Sequence, residues 1–171
     1  ISRDDVSVDA SLLDAAPKLR LIARVSTGVN GIDLEKATAR GILVMNTPGL
    51  SAIAAGEHTL ALMLALSRRL TTAHNSLREG YWLLDRKQQA GVQLLGKALG
   101  IVGLGRVGTV VAQRCLAFGM QVLAYDPYVT EDQVDERIQL VGLGELLKRS
   151  DFVSLHVPAT QETHNLIDAA A

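Results

Sequence analysis

The chain has 171 residues, 48% of them apolar and only six aromatic, so a sizeable core can be buried and must be filled with Leu, Val, Ile and Ala. Its formal net charge is −1, acids and bases are mixed along the chain, and no basic run is present, which argues against nucleic acid as a partner. A single Cys115 excludes an intrachain disulfide framework, no signal peptide opens the chain, and the longest apolar stretch, Thr59–Ser67, is too short to span a bilayer. A cytoplasmic protein without membrane association is expected.

Ser11–Ala16 reads as a short helix closed by Pro17, and Leu19–Val25 as a strand of branched residues. Ser26–Gly31 is a turn-forming loop. Asp33 is placed to cap a helix over Leu34–Arg40, with Gly41 just past its end. Ile42–Met45 is the next strand, stopped by Asn46-Thr47-Pro48-Gly49. Strand, helix and strand at this spacing make a βαβ unit with parallel strands. A long helix over Ala52–Arg69 follows. Leu60, Met63, Leu64 and Leu66 are assigned to its apolar face, but intervening alanines make it apolar nearly all round, which predicts burial on more than one side. His74–Gln93, with Tyr81 and Trp82, is polar and reads as an irregular excursion.

From Gly96 the pattern becomes regular. Strands are expected at Leu99–Val102, Gln121–Tyr125, Ile138–Val141 and Phe152–His156, and helices at Val107–Phe118 and Leu143–Arg149. Cys115 falls in the first of these helices and reads as a buried, inert thiol. The fold class is therefore α/β, with an incomplete Rossmann-type doubly wound parallel sheet.

The chemistry sits in Gly103-Leu104-Gly105-Arg106-Val107-Gly108. A lone GxGxxG is weak, because glycine turns are common. Here an apolar strand precedes it, an apolar-periodic helix and a second strand follow, and Asp126 ends that strand 18 residues after Gly108. Gly103 permits the tight turn, Gly105 lets a pyrophosphate approach the backbone, and Gly108 lets helix and strand pack closely. The helix N-terminus then offers free N–H groups to the anion. Asp126 can accept from ribose hydroxyls and would repel a 2′-phosphate, and Pro127 stands where a phosphate-binding Arg would otherwise sit, so NAD is favoured over NADP. His156, Val157 and Pro158 follow the last strand and should face the cofactor crevice, with a surface-loop role as the alternative for His156.

The stretches 26–33, 39–49 and 57–59, with Leu99–Gly108 and Tyr125-Asp126-Pro127, resemble the D-isomer-specific 2-hydroxyacid dehydrogenases, most of all their 3-phosphoglycerate dehydrogenase branch. The likeness covers essentially the whole chain. It implies an NAD-dependent oxidoreductase of two domains, with residues 1–50 from a flavodoxin-like substrate domain, 51–95 an interdomain helix and dimerisation region, and 96–171 part of the NAD-binding domain. It also implies a substrate carboxylate on the backbone N–H groups of Thr27, Gly28 and Val29, with Arg3 on the substrate side; a solvated Arg3 is the alternative. Cofactor contacts are implied at Thr27, Arg106, Val107, Asp126, Val157 and Thr163. The 2-hydroxy acid is the expected small-molecule partner, and a homodimer or larger assembly through 52–95 is implied.

Two departures stand out. Ser51-Ala52 replace the usual Asn-Ser pair, which predicts loss of a polar contact near the nicotinamide, and Asn30 replaces the usual Asp. The family's catalytic Arg, Glu and His are expected beyond Ala171, so no catalytic residue is assigned within the chain and the chain alone is expected to be inactive, its sheet ending on an apolar edge at Phe152–His156. Arg40-Gly41 copies the catalytic Arg-Gly in letters but ends a helix, whereas the catalytic Arg follows a strand. His58 reads as a packing or interface residue, and no metal is expected. A non-catalytic NAD sensor or corepressor-like module is the alternative function.

Overall fold

The computed structural model describes residues 1–2, 5–81 and 90–168. Two compact units divide it, Ile1–Ile53 and Ala54–Ala171. In the first unit, α1 (Ala10–Ala15) is capped by the Asp9 carboxylate, which accepts from the Leu12 amide at 2.9 Å. Strands β1 (Leu21–Arg24) and β2 (Leu43–Asn46) pair in parallel, Leu21 with Leu43 through Arg24 with Asn46. Between them runs α2 (Leu34–Ala39), capped by Asp33 as expected and stopped by Gly41 at φ +65°. Val8, Leu13, Ile22, Ile32, Ala37 and Ile42 form the core of this unit. Arg40 donates to the carbonyls of Leu13 and Ala16, so the Arg-Gly pair is a structural clamp on α1.

The chain then enters α3 (Leu50–Ser67), where the sequence reading needs correction. Ala52, Gly56, Leu60, Met63 and Ser67 are buried, on a single stripe at helical spacing. Leu66 is 72% exposed and Leu62 58% exposed, so neither belongs to the buried face. The expected irregular excursion is also partly helical. Arg69 takes the left-handed conformation (φ 51°), and α4 (Leu70–Arg78) starts immediately after it. Trp82 and residues 82–89 lie outside the described residues.

The second unit carries a four-stranded parallel sheet in the order β5-β4-β3-β6, made of β3 (Ala98–Val102), β4 (Gln121–Tyr125), β5 (Ile138–Leu140) and β6 (Phe152–Leu155). Helices α5 (Arg106–Ala117) and α6 (Leu143–Arg149) connect β3 to β4 and β5 to β6. Strand β3 is buried along its whole length, which is why it reads as a continuous apolar run. Leu99, Ile101, Val111, Ala112 and Cys115 pack on one side with Leu60 and Met63 of α3, while Val102 and Leu123 pack with Leu146 of α6 on the other. Strand β6 forms one edge of the described sheet, with Val153 43% and Leu155 53% exposed. Strand β4 and helix α6 coincide with the expected elements, and the other expected strands and helices differ by one or two residues at their ends, because fraying and caps blur the terminal turn. No helix among the described residues is long and apolar enough to cross a membrane.

Candidate functional site: the carboxyl ends of the parallel strands

The glycine turn joins β3 to α5, and its three glycines are needed for different reasons. Gly103 has φ +93°, and a Cβ there would lie 2.8 Å from the His156 carbonyl oxygen. Gly108 lies in the first turn of α5, where a Cβ would come 2.1 Å from the Gly103 carbonyl oxygen. Gly105 is the opposite case, since a Cβ there would meet nothing within 4 Å. Protein packing does not require that glycine; open space in front of it leaves room for a ligand's approach to the backbone. Gly105 is also the N-cap of α5 and supplies no side chain to the first amides of the helix. Those amides and the helix dipole favour an anion at this point.

Asp126 follows β4 and closes over the turn. One carboxylate oxygen accepts from the Leu104 amide at 2.8 Å and the other from the Tyr128 amide at 2.9 Å. Each oxygen retains a further lone pair, so the residue can hold the turn in shape and still accept from two hydroxyls.

Around this turn lies a cavity of about 590 Å³. Gly103, Gly105, Asp126 and Pro127 line one wall, and His156, Val157, Pro158 and Thr163 line the other. It sits at the crevice between β3 and β6, where the strand order reverses and where open α/β sheets bind their ligands. Arg106 and Val107, the first residues of α5, do not line it, and Gly108 is buried. Val107 instead lines a second cavity, of about 550 Å³, between α3 and β6.

Sequence reasoning missed Tyr125, Tyr128, Thr160, Glu162 and Leu166, which complete the lining. The Tyr128 hydroxyl donates to a Glu162 carboxylate oxygen at 2.8 Å, joining segments 34 residues apart. That carboxylate holds the Tyr128 phenol above its ordinary pKa, with Asp126 adding to the effect. No Lys or Arg is among the described residues lining the cavity. The Thr163 hydroxyl donates to the Pro158 carbonyl at 2.5 Å and is tied to Thr160, which folds the second wall into a turn.

His156 is half-buried, and its Nε2 lies 2.9 Å from the Ser154 hydroxyl. Burial pulls its pKa below the usual imidazole value, favouring the neutral ring. His58, His74 and His164 are exposed. Cys115 is fully buried and its thiol is pushed up to about 11 by desolvation, which leaves it a packing residue. No cluster of three metal-ligating side chains occurs among the described residues.

The other predicted residues lie in the first unit. Thr27 and Gly28 are exposed at the loop after β1, and Val29 is half-buried. The Thr27 hydroxyl is 2.7 Å from the Ser51 hydroxyl. Ser51 thus makes a polar contact to this loop. Arg3 lies outside the described residues.

A parallel sheet with a glycine turn, an uncapped helix N-terminus and an acid after the second strand defines a dinucleotide-binding unit. Residues 60–171 match the family model described as D-isomer specific 2-hydroxyacid dehydrogenase, NAD binding domain, and the chain belongs to that family. It is 48% identical to a D-3-phosphoglycerate dehydrogenase of Mycobacterium tuberculosis over 99% of this chain and 32% of that one. It is 44% identical to a hydroxypyruvate reductase of Thermotoga maritima, over 98% of this chain and 54% of that one. The structure of an Aquifex aeolicus D-lactate dehydrogenase complexed with NAD and lactic acid superimposes with a TM-score of 0.85 at 38% identity, covering 97% of this chain and 50% of that one. The chain thus spans between about a third and about half the length of these relatives.

Proposed function

We propose that this chain serves an NAD-dependent oxidoreductase that interconverts a D-2-hydroxy acid and its 2-keto acid. Bound NAD would take a hydride from C2 of the hydroxy acid while the hydroxyl proton passes to a base, leaving the keto acid and NADH. The cavity at the ends of β3, β4 and β6 carries the reading, because its residues fit the adenosine half of the cofactor. Asp126 faces the ribose, Gly105 and the start of α5 with Arg106 and Val107 take the pyrophosphate, and Pro127, Val157, Pro158 and Thr163 pack around the adenosine end. Thr27, Gly28 and Val29 receive the substrate carboxylate on their amides, with Arg3 on the same side. None of the 171 residues is assigned the acid–base role.

In this reading residues 1–50 belong to the substrate domain, 51–95 to the interdomain and dimerisation region, and 96–171 to the cofactor domain. The exposed Leu62, Leu66, Leu70 and Leu77 on α3 and α4 support a second copy of the chain as the partner of that region. The relatives suggest a short acid such as 3-phosphoglycerate, hydroxypyruvate or lactate. The test is calorimetric titration with NAD+ and NADP+, followed by NADH oxidation with hydroxypyruvate, glyoxylate, pyruvate and 3-phosphohydroxypyruvate. Tight NAD+ binding and turnover of at least one acid by the intact native polypeptide are expected. NAD-dependent self-association with no turnover of any acid would replace the enzyme by a non-catalytic NAD sensor.

A further inference from the structure

The loop Ser26–Asn30 has an unusual hydrogen-bond pattern. Each of its five carbonyls is engaged. The Ser26 carbonyl accepts from the Thr47 amide at 3.0 Å, and the Val29 carbonyl from the Ile32 amide at 3.1 Å. The other three are held by side chains. Asn46 Nδ2 donates to the Thr27 carbonyl at 2.7 Å, the Ser26 hydroxyl to the Gly28 carbonyl at 2.8 Å, and Arg24 Nη1 to the Asn30 carbonyl at 2.8 Å. The amides of Thr27, Gly28 and Val29 donate to no acceptor among the described residues.

Arg24 is the largest fully buried side chain, 1% exposed at the end of β1. Its second nitrogen, Nη2, donates to the Val6 carbonyl at 2.6 Å. A buried guanidinium is costly unless its donors are used, and here its planar fork spans two backbone segments that a lysine's single ammonium could not reach together. Asn46 ends β2, in register with Arg24 across the sheet. Neighbouring strands thus present two donors to the same loop. Unpaired carbonyls beside an incoming carboxylate would repel it; carbonyls already engaged within the protein leave the amides as the loop's available groups.

We propose that Arg24 and Asn46 are positioning residues that set up a carboxylate-binding nest at Thr27, Gly28 and Val29 by holding the loop's carbonyls. The proposal rests on the reading that this loop receives the substrate carboxylate. Neither side chain need touch the acid; both act through the backbone.

The test uses the full chain and oxalate as the carboxylate probe, read by the amide chemical shifts of residues 27–29, with ADP-ribose affinity as the control for the second unit. In the wild type, oxalate is expected to shift these three amides saturably. Asn46→Leu, close to Asn in size but without a donor, should weaken oxalate at least 10-fold and leave ADP-ribose affinity within 2-fold. Arg24→Ala should lose oxalate binding and regain part of it with millimolar guanidinium. If oxalate shifts none of the three amides in the wild type, the carboxylate reading fails and takes the proposal with it. If the wild type responds and Asn46→Leu binds oxalate equally well, the reading stands and the positioning role is overturned, whatever the fate of the arginine variant.

Discussion

The glycine turn at 103–108 and the loop at 26–30 are both proposed to offer backbone amides to an anion, and they would do so by opposite means. In the turn, side chains are removed: two glycines clear backbone contacts a Cβ would violate, and a third leaves open space in front of the helix N-terminus. In the loop, side chains are added: Arg24, Ser26 and Asn46 engage carbonyls. A site made by deletion tolerates no added atom where packing is closed. A site made by clamping tolerates bulk but not the loss of a donor.

The largest expected effect tests the first half of that contrast. Gly108→Ala places a Cβ 2.1 Å from the Gly103 carbonyl, so α5 must move off β3. Overpacking of this kind costs about 1–3 kcal/mol, and NAD+ affinity should fall about 100-fold or more as the helix N-terminus shifts. Gly105→Ala has no such clash and should leave the thermal midpoint within a degree or two while still weakening NAD+. Thermal unfolding beside NADH fluorescence titration separates the two. Equal destabilisation by both variants would mean that Gly105 serves packing after all.

Next in size is Asp126→Ala. It removes the acceptor of the Leu104 and Tyr128 amides as well as the proposed ribose contact. Hydrogen bonds to a charged group are worth about 1.5–3 kcal/mol, so NAD+ affinity should drop about 10- to 100-fold. The NADP+ to NAD+ affinity ratio should rise, because a negative charge beside the 2′ position is lost. An unchanged ratio would assign Asp126 to shaping the turn alone.

The turn was legible in the sequence because its demands are local. A positive φ, an excluded Cβ and an acid after the next strand each leave a letter in the chain. The clamped loop was legible as a turn, but Arg24 was not, since nothing in a sequence marks an arginine as buried. In α3 the even spread of Ala and Leu gives no preferred face, so packing alone selects the Ala52–Gly56–Leu60–Met63 stripe. Helix α4 was hidden because Thr71, Thr72, His74 and Asn75 interrupt Leu70, Ala73 and Leu77, and because its start at Arg69 lacks the glycine that usually announces a left-handed residue. The Tyr128–Glu162 pair was out of reach, since only the tertiary fold brings those segments together.

That pair supplies a smaller test. Tyr128→Phe removes one exposed hydrogen bond between the two walls of the cofactor cavity. The acceptor is a carboxylate, but water screens this exposed bond, so the loss of NAD+ affinity should stay within about 2- to 10-fold, most of it expected in a faster off-rate. Stopped-flow displacement of NADH checks this. If the off-rate is unchanged, the contact only decorates the rim.

The smallest effect is a pH dependence at His156, which separates the two walls by chemistry. Its pKa in the folded chain lies below the usual 6.5 because burial disfavours the imidazolium. Above about pH 6.5 the ring is neutral in both folded and unfolded chains, and its contribution to stability is fully present. As the pH falls below 6.5 the unfolded chain takes up the proton first, so stability declines until the pH passes the lowered folded-state pKa, where the loss is complete. His156→Asn keeps a polar side chain near Ser154 but cannot titrate, so its thermal midpoint should lose less than the wild type's between pH 7 and 5. NAD+ should raise the wild type's midpoint by mass action at every pH and steepen its decline with acid, since filling the cavity buries the ring further and lowers its folded-state pKa again. Parallel midpoint curves for the two proteins would show that His156 is solvated and that its wall is open to water, unlike the Asp126 side, which is held by backbone amides.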